Sequence, residues 1–122
     1  MFSNKKEALA DRSVKAFLEY GCEFEGKLTF SGVVRVNGRL KGDIHSESCL
    51  IVGETAEIDG ILHVGSMIVG GKITGDIIAK ERVEIQATGS IKGKLRTPIL
   101  VMHEGAQIEG DISVSKSETR SH

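Results

Sequence analysis

A parallel β-helix, a single chain coiled into stacked turns of short strands, is the all-β fold class this sequence predicts. Three observations predict it. An apolar–x–Gly–x–apolar motif is written six times: "FEGKL" from 24, "LKGDI" from 40, "IDGIL" from 58, "ITGDI" from 73, "IKGKL" from 91 and "IEGDI" from 108. The motif glycines Gly26, Gly42, Gly60, Gly75, Gly93 and Gly110 follow one another at intervals of 16, 18, 15, 18 and 17 residues, and a sustained period of this length marks a repeat architecture. Of the 122 residues 39% are hydrophobic but only 4% aromatic, with no tryptophan, so the apolar material is Ile, Val and Leu, suited to pleated strands.

Within each motif the apolar residues and the glycine alternate with mostly charged ones, a period of two that buries one face of a strand. By this parity the glycine faces inward, where close packing of the coil interior is the expected reason for it. Before the later motifs stands a second alternating pair: Val34/Val36, Leu50/Val52, Met67/Val69, Val83/Ile85 and Leu100/Met102. After each motif a third inward position falls to Phe30, Ser46, Val64, Ala79, Thr97 or Val114. The expected product is about six coils of three short strands.

The uneven spacing has a local source. "VNGRL" and "VGGKI" connect pair to motif in four steps, whereas "VGETAEI", "IQATGSI" and "MHEGAQI" take six. A change of two residues keeps the inward register that a change of one would invert. The outward residues agree with the alignment. Stacking the position before each glycine gives Glu25, Lys41, Asp59, Thr74, Lys92 and Glu109, and the position after it gives Lys27, Asp43, Ile61, Asp76, Lys94 and Asp111. Like charges are never adjacent in either column, and such cross-strand pairs contribute roughly 0.2–1 kcal/mol each.

The domain organisation expected is a flexible tail over residues 1–20, a β-helix over 21–114 and a disordered polar tail, "SKSETRSH", over 115–122. Leu9, Phe17 and Leu18 are roughly helically spaced, so the first tail is also a candidate cap. Otherwise both ends of the coil stand open. Phe24, Leu28 and Phe30 lie at the first, and Leu100, Met102, Ile108, Ile112 and Val114 at the last. Open strand edges template pairing with another chain, so polymerisation through these ends is the simplest inference, with backbone pairing and apolar stacking in place of a nucleotide.

Other chemistry is sparsely represented. A net charge of −1 gives no general attraction to nucleic acid. Cys22 and Cys49 lack a metal or redox spacing, and no apolar run is long enough to span a bilayer. His45 and His63 should stack outward on adjacent coils, without a third ligand at an obvious spacing. The motif glycine is not followed by a helix, which a phosphate-cradling loop requires. No catalytic, cofactor or metal site is expected, and no enzyme activity. The rival reading, a trimeric hexapeptide-repeat acyltransferase, needs an 18-residue rhythm that the 15- and 16-residue intervals break. Ile51 and Ile68, adjacent in another outward column, and Ile61 on a neighbouring face are a candidate lateral or partner patch.

The stretches "EFEGKLTFSGVVRVNGRLKGDI", "VGGKITGDIIAKERVEI" and "LRTPILVMHEGAQIEGDI" resemble the bactofilins, bacterial cytoskeletal proteins, from about Gly21 to Val114. Ile108 stands where many bactofilins carry an aromatic residue. The resemblance implies a right-handed coil and nucleotide-independent filaments without polarity, joined by like ends. It also implies a cytoplasmic scaffold on the inner face of the cytoplasmic membrane that helps position cell-wall enzymes and other morphogenesis proteins. Some bactofilins begin with a short membrane-targeting segment, and Met1, Phe2, Ser3, Lys5 and Lys6 fit its pattern.

Overall fold

Alternating Val, Ile and Leu can bury one side of a strand only if the chain returns above itself every turn. The computed structural model, which describes the backbone of residues 15–120 and the side chains of residues 18–114, shows that return. Among the described residues nine strands form one sheet: β1 Lys15–Phe17, β2 Glu23–Phe30, β3 Val34–Val36, β4 Arg39–Ser46, β5 Cys49–Val52, β6 Glu57–Val69, β7 Lys72–Ile85, β8 Ser90–His103 and β9 Gln107–Arg120. Every pairing is parallel, each strand lying on the one a turn earlier. The motif glycines fall into one register column, Gly26–Gly42–Gly60–Gly75–Gly93–Gly110. Six motif rungs are therefore joined by about five turns, one fewer than the six coils expected, because a stack of six rungs contains five steps.

Each turn has three faces. The first holds the alternating pairs, and the motif supplies the second face before its glycine and the third after it. Inward positions are occupied as the parity requires: Leu50, Met67, Leu62, Val69, Val83 and Ile85 are fully buried. Two polar residues, Ser46 and Thr97, hold inward positions. The Ser46 hydroxyl accepts the Ser48 amide at 3.3 Å, and the Thr97 hydroxyl donates to the Ile99 carbonyl at 3.1 Å.

The reason for the glycine column differs from the one expected. A Cβ on Gly60 would stand 1.8 Å from the carbonyl oxygen of Gly42, and one on Gly93 2.1 Å from that of Gly75. Backbone φ here is +148° and +132°, a region L side chains avoid. The added carbon would point along the stack into the rung beneath, so the constraint is rung-to-rung backbone contact at a bend, not packing of the interior.

The corner between first and second faces explains the spacing. In the long form the fourth residue's amide donates to the first residue's carbonyl: Ala56 to Gly53 at 3.0 Å, Gly89 to Gln86 at 2.8 Å and Ala106 to His103 at 3.0 Å. Where a long corner lies on a short one, a threonine hydroxyl takes up the lower carbonyl. Thr55 donates to Asn37 and Thr88 to Gly70, both at 2.7 Å.

Three expectations about the ends are corrected. Residues 15–17 are not flexible tail, since β1 pairs with β3, Phe17 opposite Val36. Nor do Phe17 and Leu18 continue a helical cap: Phe17 is in a strand and Leu18 takes a left-handed φ of 63°. The Asn37 amide reaches the Leu18 carbonyl at 2.9 Å, whereas Gly53 reaches that of Val36, so Leu18 is one extra residue accommodated as a bulge. At the other end β9 continues to Arg120, with Leu100 opposite Ser117 and Met102 opposite Thr119. Residues 115–120 are strand, not disordered tail; main-chain pairing holds a segment that has no apolar alternation. Leu9 lies outside the described residues.

Candidate functional site

The six rungs are chemically alike except at the ends. At the central second-face positions Ile58, Ile73 and Ile91 are buried, as are their third-face counterparts Leu62, Ile77 and Leu95. In the last rung the corresponding residues are Ile108, half-buried, and Ile112, 38% exposed, with Val114 half-buried beyond them. Nothing in the register lies on these three among the described strands, because β9 pairs with β8 alone. Leu100 and Met102 do not share that end. Leu100 is buried and Met102 half-buried, both opposite the last stretch of β9, so the terminal cross-section is made by Ile108, Ile112 and Val114 beside a partial further rung.

At the first rung Phe24, Leu28 and Phe30 are half-buried and packed on the core together with Leu18. The Phe24 ring lies over Gly26, 3.5 Å from where a Cβ would be. Tyr20, 78% exposed, stands at the corner just before this rung. Sequence patterning passes over it, because a lone aromatic in a corner carries no periodic signal.

The sides of the stack are ladders of charge. Both predicted columns are in register, with Lys92 and Glu109 paired at 3.9 Å. A further ladder runs through Arg39, 3.5 Å from both Glu23 and Glu57. These groups are largely solvated, so each contact contributes well under about 1 kcal/mol. His45 and His63 stack as expected, centroids 5.7 Å apart and planes 1° from parallel. Among the described residues no group of three or more His, Cys, Asp and Glu is arranged to hold a metal. His103 Nε2 lies 2.6 Å from Glu84, both half-buried, and the other Glu84 oxygen is 3.3 Å from the exposed Arg82; the trio joins two coils and has no periodic signature.

The candidate lateral patch divides. Ile51 and Ile68 are opposite one another on the first face and half-buried. Ile61 is 42% exposed on the third face between Asp43 and Asp76. Its exposed companion there is Ile78, 37% exposed and next to His63 in the histidine column. Parity alone could have found Ile78, since it occupies the same outward position as the two histidines. Met1, Phe2, Ser3, Lys5 and Lys6 lie outside the described residues.

Known proteins share this arrangement. The family described as bactofilin, polymer-forming cytoskeletal, matches residues 16–113. Bactofilin BacP of Myxococcus xanthus (strain DK1622) is 30% identical over 93 residues, 76% of this chain and 39% of BacP. Bactofilin BacO of the same strain is 21% identical over 94 residues, 77% of this chain and 75% of BacO. The chain thus spans about two fifths of BacP (39%) and three quarters of BacO (75%). The fold is similar to that in a cryo-EM reconstruction of Thermus thermophilus bactofilin double helical filaments, with a TM-score of 0.76 at 24% identity over 82% of this chain and 98% of that one. The family match begins in β1 and ends in β9, taking in all six rungs, and on that evidence the chain belongs to the bactofilin family.

Proposed function

We propose that the chain is a structural, non-catalytic scaffold that self-assembles end to end through its terminal rungs, without nucleotide, into filaments of no polarity. The observation that carries this reading is the contrast within one repeat. Ile112 is 38% exposed at the last rung, whereas Leu62, Ile77 and Leu95 at the same position are no more than 1% exposed. The end rung of a second copy laid on β9 would bury it and cover an open strand edge. The Thermus filaments, which are double helical, support the same assembly here. The filament would lie at the inner face of the cytoplasmic membrane, held by the first six residues, and position cell-wall enzymes and other morphogenesis proteins.

Electron microscopy of purified, nucleotide-free protein tests the joint. Ile108→Arg or Ile112→Arg places a charge where a second copy would desolvate it, a costly burial, while the single subunit keeps the site solvated. Filaments are expected from the parent chain, and dimers or monomers with an unchanged β circular-dichroism signal from the variants. Normal filaments from both variants would place the joint elsewhere.

A further inference from the structure

We infer that the third face is a second assembly surface, taken by another copy of this chain running antiparallel, its stack reversed about a two-fold axis between the third and fourth rungs. This rests on the proposed filament and goes beyond it by naming face, orientation and register.

The outward column after the motif glycine has the register Lys27–Asp43–Ile61–Asp76–Lys94–Asp111. Two such faces laid together in parallel and in register would oppose Lys to Lys and Asp to Asp throughout. Reversing one of them about the midpoint sets Lys27 against Asp111 and Asp43 against Lys94, twice each. Shifting the reversed copy by one rung either way brings like charges together again, Lys27 on Lys94 or Asp43 on Asp111. The favoured register is also the one in which all six rungs overlap.

The apolar residues fall where an interface core belongs. Ile61 is on the third rung and Ile78 on the fourth, flanking the axis; in the first column the reversal sets Ile61 against the second copy's Asp76, and the Lys–Asp pairs lie outside them. In the neighbouring column, Thr29–His45–His63–Ile78–Arg96–Ser113, reversal sets His63 against the second copy's Ile78 and His45 against its Arg96. The first contact is apolar on ring. The second suits a neutral imidazole accepting from a guanidinium.

Size decides when the surface is used. Five rung steps of about 4.8 Å and a face some four residues wide give roughly 300–400 Å² per copy. A stable complex of free subunits takes about 800 Å² per partner. Isolated subunits therefore do not pair this way, whereas two filaments, repeating the contact along their length, do.

The test is a charge exchange across the two-fold, read as the fraction of paired filaments in electron micrographs at low salt. Lys94→Glu alone and Asp43→Lys alone should each leave filaments single, cutting the paired fraction at least fivefold. The double variant should restore pairing, because each reversed charge again meets its opposite on the second copy. The two sites are three rungs apart within one chain, so their effects on folding add and rescue can come only from between copies. Thermal melts of each variant show whether the fold survives. Single filaments from the double variant, or pairing undisturbed in the single ones, would overturn the register. Loss of filaments altogether from the unsubstituted chain would instead sink the end-to-end reading on which it stands.

Discussion

An alanine at Gly60 would bring its Cβ to 1.8 Å from the Gly42 carbonyl, while at Gly26 the same carbon would meet only the Phe24 ring at 3.5 Å. Both positions have φ near +145°, at +148° and +145°, so both substitutions carry a backbone strain of about 1–3 kcal/mol. Only the first adds a collision with main chain that a parallel pairing holds in place. In the Ile108→Arg background, where polymerisation does not mask subunit stability, Gly26→Ala should cost about 1–3 kcal/mol and Gly60→Ala more than about 4 kcal/mol, read by urea denaturation. Equal losses would mean that φ alone, and not the rung beneath, demands glycine. The same vector gives Gly26 a second role. Its missing Cβ points out of the first rung, so Gly26→Ala should impair filament growth from that end more than it weakens the subunit.

The corner between first and second faces is open to a deletion test. Removing Thr55 and Ala56 together keeps the inward parity, and removing either alone inverts it. The pair deletion should therefore be the better tolerated, but the structure adds a condition. Glu54 would then stand where Gly38 and Gly71 stand in the short corners, and a Cβ on Gly71 would lie 2.3 Å from the Gly53 carbonyl. Combining the deletion with Glu54→Gly writes "VGGEI", nearly the native "VGGKI" at 69–73. It should lose only about 1–2 kcal/mol, the Thr55 hydrogen bond and part of the buried Ala56. The deletion without Glu54→Gly should melt well below it, and either single deletion should lose the cooperative transition; comparable melts for all of them would refute the corner. This spacing, the inward residues and both charge columns were legible because burial imposes a period of two and stacking a period near 17. The Leu18 bulge was not, since one left-handed residue absorbs an odd count that patterning treats as an error. Neither β1 nor the end of β9 was legible, because a strand of three residues, or one written "SKSETR", is held by main-chain bonds to its neighbour without apolar alternation. For the same reason Leu100 and Met102 read as end residues, although β9 lies opposite them.

Assembly and membrane attachment, as proposed, depend on one another. Burying Phe2 in a bilayer contributes about 1.5–3 kcal/mol, and Lys5 and Lys6 about 1 kcal/mol each near an anionic leaflet. The sum corresponds to a dissociation constant of roughly millimolar for one subunit, too weak to hold it. A filament presents the same tail once per subunit, so once a few have inserted, the rest bind at high effective concentration and dissociation requires all to leave together. Three liposome-sedimentation measurements separate the contributions. Filaments of the parent chain should pellet with anionic vesicles, less so as salt screens the lysines. Deleting residues 1–6 should leave filaments intact in the supernatant. The Ile108→Arg chain, with its tail but no polymer, should stay largely in the supernatant as well, at least tenfold below the parent in bound fraction. Strong binding by that monomer would show that the tail acts singly, through an affinity these six residues do not account for. Parent filaments that ignore the vesicles would remove the first six residues, and direct membrane attachment, from the proposal.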